Sequence, residues 1–485
     1  MIVGELRHGQ LVIIDRLKET VRLSEGLDES GELTRAARDR ALECLSRFGE
    51  RLRHIQASNV RAAGTSTFRR AKNSHVFCKE AEQALGHPLE IISGLEEARL
   101  IYAGVTHSMP PHDGSRLVLD IGGGSTELIL GESNRPRALE SLHMGCVVMT
   151  ERYFGDGRVS RAAFDKARLA VRLKLRPVKA FFRDTPGIEV IGTSGTIRAT
   201  ETVARELGLI EAELTRSAVQ QLIERLCEFD LIASVSLPGL PERRAQVWPG
   251  GLAILVELLG VLRIDRLRTS DGALREGLLY DSLGRLQHED ARERSVQALA
   301  RRYNVDPGQA QRVAETANGL LGQCAGDWDL ASPLVTRMLK WSALLHEIGL
   351  DISHDGFHRH GAYIAANADL PGFPRAEQQF LAFLIASQRR HIDEDLRHEL
   401  PSKWQGKALR LSVVLRLAVL LNRSRSNAAL PEIEFDVAEN GLTLGFPDGW
   451  LEQNPLTRAD LEREKDYLLS SGYALSVRVP AEISG

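Results

Sequence analysis

The sequence lacks several things, and each lack narrows what the chain does. Its 485 residues include only five cysteines, Cys44, Cys78, Cys146, Cys227 and Cys324. They fall at no spacing that suits a zinc set, a redox pair or a disulfide framework. Cysteine used this way is a small apolar residue in a reducing compartment. No apolar run approaches the length of a membrane span, and the N-terminus carries no secretory pattern, so a cytoplasmic location is expected. An excess of one charge is also missing: 62 Lys and Arg stand against 65 Asp and Glu, a formal net charge of -3. Nothing global therefore advertises nucleic acid as a partner, and a polyanionic ligand would need local clusters. Arg69-Arg70, Arg301-Arg302 and Arg389-Arg390-His391 are the candidates. Low-complexity tracts are absent. With 43% hydrophobic and 26% charged residues, the composition is that of an ordinary globular protein, long enough for about two to four domains.

The most informative stretch is Val118-Leu119-Asp120-Ile121-Gly122-Gly123-Gly124-Ser125-Thr126-Glu127, followed by Leu128-Ile129-Leu130. It reads as a strand, a tight glycine turn and a returning strand. Consecutive glycines bring the backbone close to a ligand and can aim several N–H groups into one concavity, which suits phosphate oxygens. Asp120 and Glu127 flank the turn and could hold a divalent cation against those oxygens. An ordinary hairpin turn is the plain alternative.

The rest of the first half alternates strands and helices. Strands are expected at Ile2–Leu6 and Leu11–Ile14, with a turn at His8-Gly9, and a third at Thr20–Leu23. Thr34 should cap a helix that places Ala41, Leu45, Phe48 and Leu52 on one face. Asn59–Ala63 should run as a strand into Gly64-Thr65-Ser66-Thr67 and a helix bearing Arg69. Leu89–Ile92 leads to Ser93-Gly94 and a helix opening with Glu96 and Glu97. After connecting prolines at Pro110 and Pro111 comes the glycine hairpin, then a strand over Ala138–Leu142, a helix over about 160–183 and a strand at Ile188–Ile191. That strand ends in a second glycine loop, Gly192–Thr196. A third such turn, Asp271-Gly272, follows Leu267–Ser270 and opens a helix. Glycine turns at the carboxyl ends of strands are where α/β sheets bind phosphates. From about residue 290 the strands vanish into amphipathic helices. They return in the last sixty or so residues at Ile433–Phe435, Leu442–Leu444 and Leu475–Val479, around a helix near 457–469.

Five motifs taken together resemble the exopolyphosphatase and guanosine pentaphosphate phosphatase family, within the actin, sugar-kinase and heat-shock-chaperone superfamily. They are Gly64–Arg69, Ser93–Ile101, Asp120–Glu127, Gly192–Thr196 and Ser270–Gly277. The resemblance implies an α/β protein with two ribonuclease-H-like (actin-like ATPase) lobes, residues 1–105 and 106–286, then an all-α HD-like domain, 287–428, and a small C-terminal α+β domain, 429–485. It implies hydrolysis of a phosphoanhydride, with Glu97 as catalytic base and Asp120 as phosphate-loop acid. Asp120 and Glu127 would hold Mg2+ or another divalent cation. Arg69 would meet substrate phosphate, as would Gly64, Thr65, Gly122, Gly123, Gly124, Ser125, Thr126, Ser194, Gly195, Thr196 and Gly272. For Glu97 the plain alternative is an acid favoured by the helix macrodipole. The family suggests a homodimer.

Two departures from the family pattern stand out. Met1 falls where a first phosphate loop, roughly Asp-Leu-Gly-Ser-Asn-Ser, should already have ended. The first lobe as written is therefore expected to lack that loop and its central strand, and to be poorly stable and weakly active. In the helical domain, His346-Glu347 replaces the usual His-Asp pair and Asn422 stands near the expected last acid, so metal catalysis is not expected there. His354, His358 and His360 are close in sequence, and hydrogen bonds or anions are their expected partners. The preferred activity is exopolyphosphatase, releasing orthophosphate from inorganic polyphosphate; the stretch Asp355–Tyr363 favours that branch. The runner-up is removal of the terminal 5′-phosphate of guanosine pentaphosphate. A non-catalytic polyphosphate or guanosine tetraphosphate binder and a kinase of the same superfamily remain as other classes.

Overall fold

The computed structural model describes residues 1–7, 10–28, 30–110, 112, 114–183, 187–286 and 290–478. The chain divides into two compact units, Met1–Asp290 and Ala291–Gly485.

The first unit opens with an antiparallel hairpin, β1 (Ile2–Arg7) and β2 (Gln10–Arg16); the expected turn at His8-Gly9 lies outside the described residues. The third strand expected at Thr20–Leu23 does not form. Arg22 takes a left-handed conformation (φ 53°) and Leu23–Gly26 winds into a 3-10 turn, which lets Gly26 press against Ala37. The helix Arg35–Leu52 begins where expected: Thr34 Oγ1 accepts the Ala37 N–H at 3.4 Å. Its buried residues are Ala37, Ala41, Cys44 and Leu52. Strands β3 (Ala62–Gly64) and β4 (Leu89–Ile91) pair in parallel.

The second lobe is built on β5 (Ser115–Ile121), β6 (Thr126–Glu132), β7 (Arg135–Leu142), β8 (Glu189–Gly192), β9 (Leu214–Thr215) and β10 (Arg266–Thr269), in the order β7-β6-β5-β8-β10-β9. β5 pairs antiparallel with β6 and parallel with β8. The first lobe has the same antiparallel hairpin and parallel pair, but among the described residues they remain two separate two-stranded sheets with no strand in the position of β5. Leu6, Ile13 and Ile14 of that hairpin are exposed. The helix expected over 160–183 is interrupted: Arg161–Leu175 ends just before Pro177, which has no N–H to continue it, and Lys179–Phe182 resumes.

One helix couples chemistry to scaffold. Gly94–Ser108 was assigned by sequence to the first lobe, yet its Ala98, Ile101, Tyr102 and Val105 share a core with Val118, Ile129 and Ile191 of the second lobe's sheet. Its other neighbour is the helix Leu274–Leu286. A Cβ at Gly104 would collide with the Ala273 carbonyl oxygen, and one at Gly277 with that of Leu100. The two helices therefore meet backbone to backbone.

In the second unit, helices such as Pro307–Cys324, Pro333–Leu345, Arg375–Ser387 and Ser402–Leu421 pack with a mixed sheet of β11 (Glu434–Val437), β12 (Gly441–Gly445) and β13 (Ala474–Arg478). Val479, expected to close the last strand, lies outside the described residues. A single core joins Trp328, Phe383 and Leu411 to Phe435, Leu444 and Leu468, so the small sheet and the helices are not separate cores. Trp328 Nε1 donates to the Ala438 carbonyl at 2.9 Å. No described helix is long and apolar enough to cross a membrane.

Candidate active site

Strand pairing places Asp120 directly opposite Glu127, and Glu127 opposite Ser141, whose hydroxyl donates to Glu127 Oε1 at 2.8 Å. Between the two acids the chain turns through Gly122–Ser125, closed by the Gly122 N–H on the Ser125 carbonyl at 2.9 Å. The Gly122 and Gly123 carbonyls accept from Cys146 (2.8 Å) and Val147 (3.1 Å). The N–H groups of Gly123, Gly124 and Ser125 have no acceptor among the described residues, which is the arrangement an oxyanion cradle needs. Across from the turn stands Ser66, whose Oγ lies 2.7 Å from where a Cβ on Gly124 would be.

Glu97 comes to these acids on the helix Gly94–Ser108. Ser93 caps it, accepting the Glu96 N–H at 3.1 Å. Gly94 is needed at the first turn, because a Cβ there would sit 2.5 Å from Ser141 Oγ. Two neighbouring acids then part ways. Glu96 is fully buried and held by Arg99 through bonds of 2.7 and 2.8 Å. Glu97 instead accepts from both terminal nitrogens of Arg69, at 3.0 and 3.1 Å, and from the Thr65 hydroxyl. Arg69 Nη1 also donates to the Ile92 carbonyl at 2.8 Å.

The three carboxylates share one electrostatic field. Burial raises the Glu97 pKa, against the pull of Arg69 and Thr65. Asp120 is pushed up to about 7, by burial first and then by the charge of Glu97, while Arg198 opposes the shift. Glu127 is driven well above the usual carboxylate range by burial, Glu97 and Asp120, against bonds from Ser125 and Ser141. Crowded hard oxygen donors of this kind are relieved by a small divalent cation. No group of three or more His, Cys, Asp or Glu among the described residues forms a metal cage. Asp120 and Glu127 would thus leave most positions of such an ion to water and phosphate oxygens, the mode Mg2+ prefers.

The other residues singled out by sequence divide in two. Thr65 and Ser125 belong to the site through their bonds to Glu97 and Glu127. Ser194 caps the helix Gly195–Glu206, accepting the Ile197 N–H at 3.1 Å, so Gly195 and Thr196 form its first turn. Thr196 is buried and lies beside the Cys146 thiol. Three residues are used internally instead. Thr126 donates to the Met144 carbonyl at 2.5 Å. Gly64 gives its carbonyl to the Ile92 N–H at 3.1 Å and lies against the Phe68 ring. Gly272 donates its N–H to Ser270 Oγ at 3.1 Å and accepts from Thr193 Oγ1 at 2.6 Å, with Ser108 against its Cα.

Sequence reasoning missed a cluster of cations. Lys18 has its pKa lowered by burial and then by Arg198, Arg275, Arg244 and Arg243. The Arg244 guanidinium lies against Gly195, and Arg198 pairs with Asp271 at 2.5 Å while also acting on Asp120. The Arg243-Arg244 doublet was the available signal. In the second unit, His346 is buried with Nδ1 2.7 Å from the Ala343 carbonyl, Glu347 is held by Arg425, and Asn422 donates to Ala418 and Thr316.

The chain is similar to known proteins over nearly its whole length. Residues 2–286 match the Ppx/GppA phosphatase family and residues 291–465 match domain III of the Ppx/GppA phosphatase. Proteins of Vibrio cholerae and Aeromonas hydrophila, each named guanosine-5′-triphosphate,3′-diphosphate pyrophosphatase, are 38% identical over 477 and 473 residues, 98% of this chain and 95% of theirs. An exopolyphosphatase structure from Cytophaga hutchinsonii is similar in fold, with a TM-score of 0.52 and 24% identity over 58% of this chain and 93% of that one. The crystal structure of the Aquifex aeolicus Ppx/GppA family member gives 0.50 and 24% over 59% and 94%. With family matches over residues 2–286 and 291–465 and relatives 38% identical across nearly its whole length, the chain belongs to the Ppx/GppA phosphatase family.

Proposed function

We propose that the chain hydrolyses the terminal phosphoanhydride of the 5′-triphosphate of guanosine pentaphosphate. One observation carries the chemistry: Glu97 is bonded to Arg69 and coupled by charge to Asp120 and Glu127, the two acids flanking a glycine turn whose three amides have no acceptor among the described residues. Those amides cradle the transferring phosphoryl group, and Glu97 orients the attacking water and takes its proton. Asp120 and Glu127 would hold Mg2+, which when bound supplies positive charge to the phosphoryl oxygens. Arg69 sits where it can pass from Glu97 to a substrate oxygen. Lys18, Arg243, Arg244 and Arg275 hold the phosphates that are not attacked.

The choice of substrate reverses the order expected from sequence, where inorganic polyphosphate came first. The relatives that match nearly the whole chain carry the guanosine name, and this supports guanosine pentaphosphate. Polyphosphate stays as the second reading, because the Lys18 cluster gathers the positive charge that any phosphate chain needs. Parallel turnover of guanosine pentaphosphate and a long polyphosphate, each with Mg2+, separates them. The expected result is a higher kcat/KM for the guanosine compound; a clear preference for polyphosphate would restore the earlier order. Tight binding of both with no phosphate released would make the chain a binding protein.

A further inference from the structure

Three polar groups of the first lobe stand against the glycine turn. Ser24 lies in the 3-10 turn Leu23–Gly26, and its Oγ is 3.5 Å from where a Cβ on Gly123 would be. Ser66 opens the short helix Ser66–Arg70, and Arg70 ends it. Ser66 Oγ is 2.7 Å, and Arg70 Nη1 3.9 Å, from the same point on Gly124. Among the described residues, neither hydroxyl nor the Arg70 guanidinium has a hydrogen bond or an ion pair.

The doublet Arg69-Arg70 thus divides its cations. Arg69 is bonded to Glu97 through both terminal nitrogens, whereas Arg70 is left to the turn. Glu151 feels the charge of Arg70, which opposes the rise that burial and Glu25 impose on its pKa, but the two do not pair. The surroundings are otherwise positive. His143, the residue after β7, has its pKa lowered by burial and then by Arg70, Lys174 and Arg69, with no acid opposing. Across the gap, the amides of Gly123, Gly124 and Ser125 are donors without acceptors. Donors on both sides of a gap are answered together by an oxyanion, and a guanidinium presents its N–H groups at the spacing of two phosphoryl oxygens. The hydroxyls donate or accept as the bound group requires.

We propose that Arg70 is a further substrate-binding residue: its guanidinium, with the hydroxyls of Ser24 and Ser66, closes the glycine turn from the first lobe and takes oxygens of the transferring phosphoryl group. This rests on the reading that the turn cradles that group. Arg70 then discriminates the terminal phosphate itself, while the Lys18 cluster answers for the others.

The test uses the full chain carrying Glu97→Gln, so that the substrate survives, with and without Arg70→Gln. Guanosine pentaphosphate, and guanosine tetraphosphate without the terminal phosphoryl, are titrated into each by calorimetry with Mg2+. Arg70 has no structural bond to lose, so the variant should fold, and its melting temperature checks this. The expected result is that Arg70→Gln weakens the pentaphosphate at least tenfold and leaves the tetraphosphate nearly unchanged. Equal weakening of both would overturn the proposal, making Arg70 a general surface charge. An unchanged preference for the pentaphosphate would also overturn it, with the cradle left standing. If the parent chain bound the pentaphosphate no more tightly than the tetraphosphate, the cradle reading would fail, and the proposal with it. A second readout is the His143 ring followed by nuclear magnetic resonance. Its pKa should rise when the pentaphosphate binds, and should already be higher in ligand-free Arg70→Gln. A His143 titration indifferent to Arg70→Gln would count against the placement of Arg70 at the turn.

Discussion

Glu96 and Glu97 are adjacent, acidic and buried, yet their partners give them different work. Glu96 is locked to Arg99, which also reaches Asp281 at 2.5 Å. Glu97 is bonded to Arg69, and its own charge reaches Asp120. Glu97→Gln should therefore lower kcat on the order of a hundredfold or more while substrate still binds. Glu96→Gln should act mainly on stability, by leaving Arg99 short of charge. Phosphate release and thermal melting measured side by side check both, and the reverse ranking would shift the base to Glu96. Arg69 makes a separate prediction. It holds the Glu97 pKa down against burial, so Arg69→Gln should raise that pKa further. A base must be ionised to work, so the acidic limb of the kcat/KM profile should move to higher pH. A limb that stays put would mean that Arg69 does not govern the ionisation of Glu97.

At the scale of elements, the helix Gly94–Ser108 is positioned by two glycines. Gly104 and Gly277 let it lie backbone to backbone on Leu274–Leu286. Gly277→Ala would drive a methyl into the Leu100 carbonyl, with a cost of about 1–3 kcal/mol or more. Because the displaced helix carries Glu97, kcat should fall along with the melting temperature. A stable, fully active variant would show that the helix contact is not what places the base. This contact was invisible in the sequence, since each glycine sits inside an ordinary helical pattern and its reason lies on another helix. The Asp120–Glu127 hairpin was legible because alternation and a glycine run are local signals, and the Ser93 cap marked the start of the helix that carries Glu97. The strand expected at Thr20–Leu23 failed because Gly26 found Ala37, a tertiary contact that overrode the local preference. The helix Trp248–Val261 has every face buried and so shows no 3.6-residue period to read. The Lys18 cluster escaped because its members are scattered through the first unit and meet only on folding.

At the scale of the molecule, the two units carry their charge differently. The three mutually repelling carboxylates all lie in the first. Their folded pKa values stand above the ordinary carboxylate range, so between the two ranges the native state binds more protons than the unfolded chain. Stability contributed by these groups is full at acid pH and is lost as pH rises through about 7, the value for Asp120. Calorimetric unfolding in chelator should therefore show a first-unit transition whose temperature falls from pH 5 to pH 8, about the span over which these groups ionise. Asp120→Asn should flatten the fall, and Mg2+ should oppose it by binding the ionised pair. The second unit provides the internal control. It holds four of the five tryptophans, Trp328, Trp341, Trp404 and Trp450, so fluorescence reports mainly on its unfolding, and that transition should move much less with Mg2+. If magnesium shifted both transitions equally, the cation would be acting elsewhere than on Asp120 and Glu127. If the first-unit transition rose with pH, the three acids would not be held in their protonated forms by burial and by each other, and the electrostatic account of the site would have to be replaced.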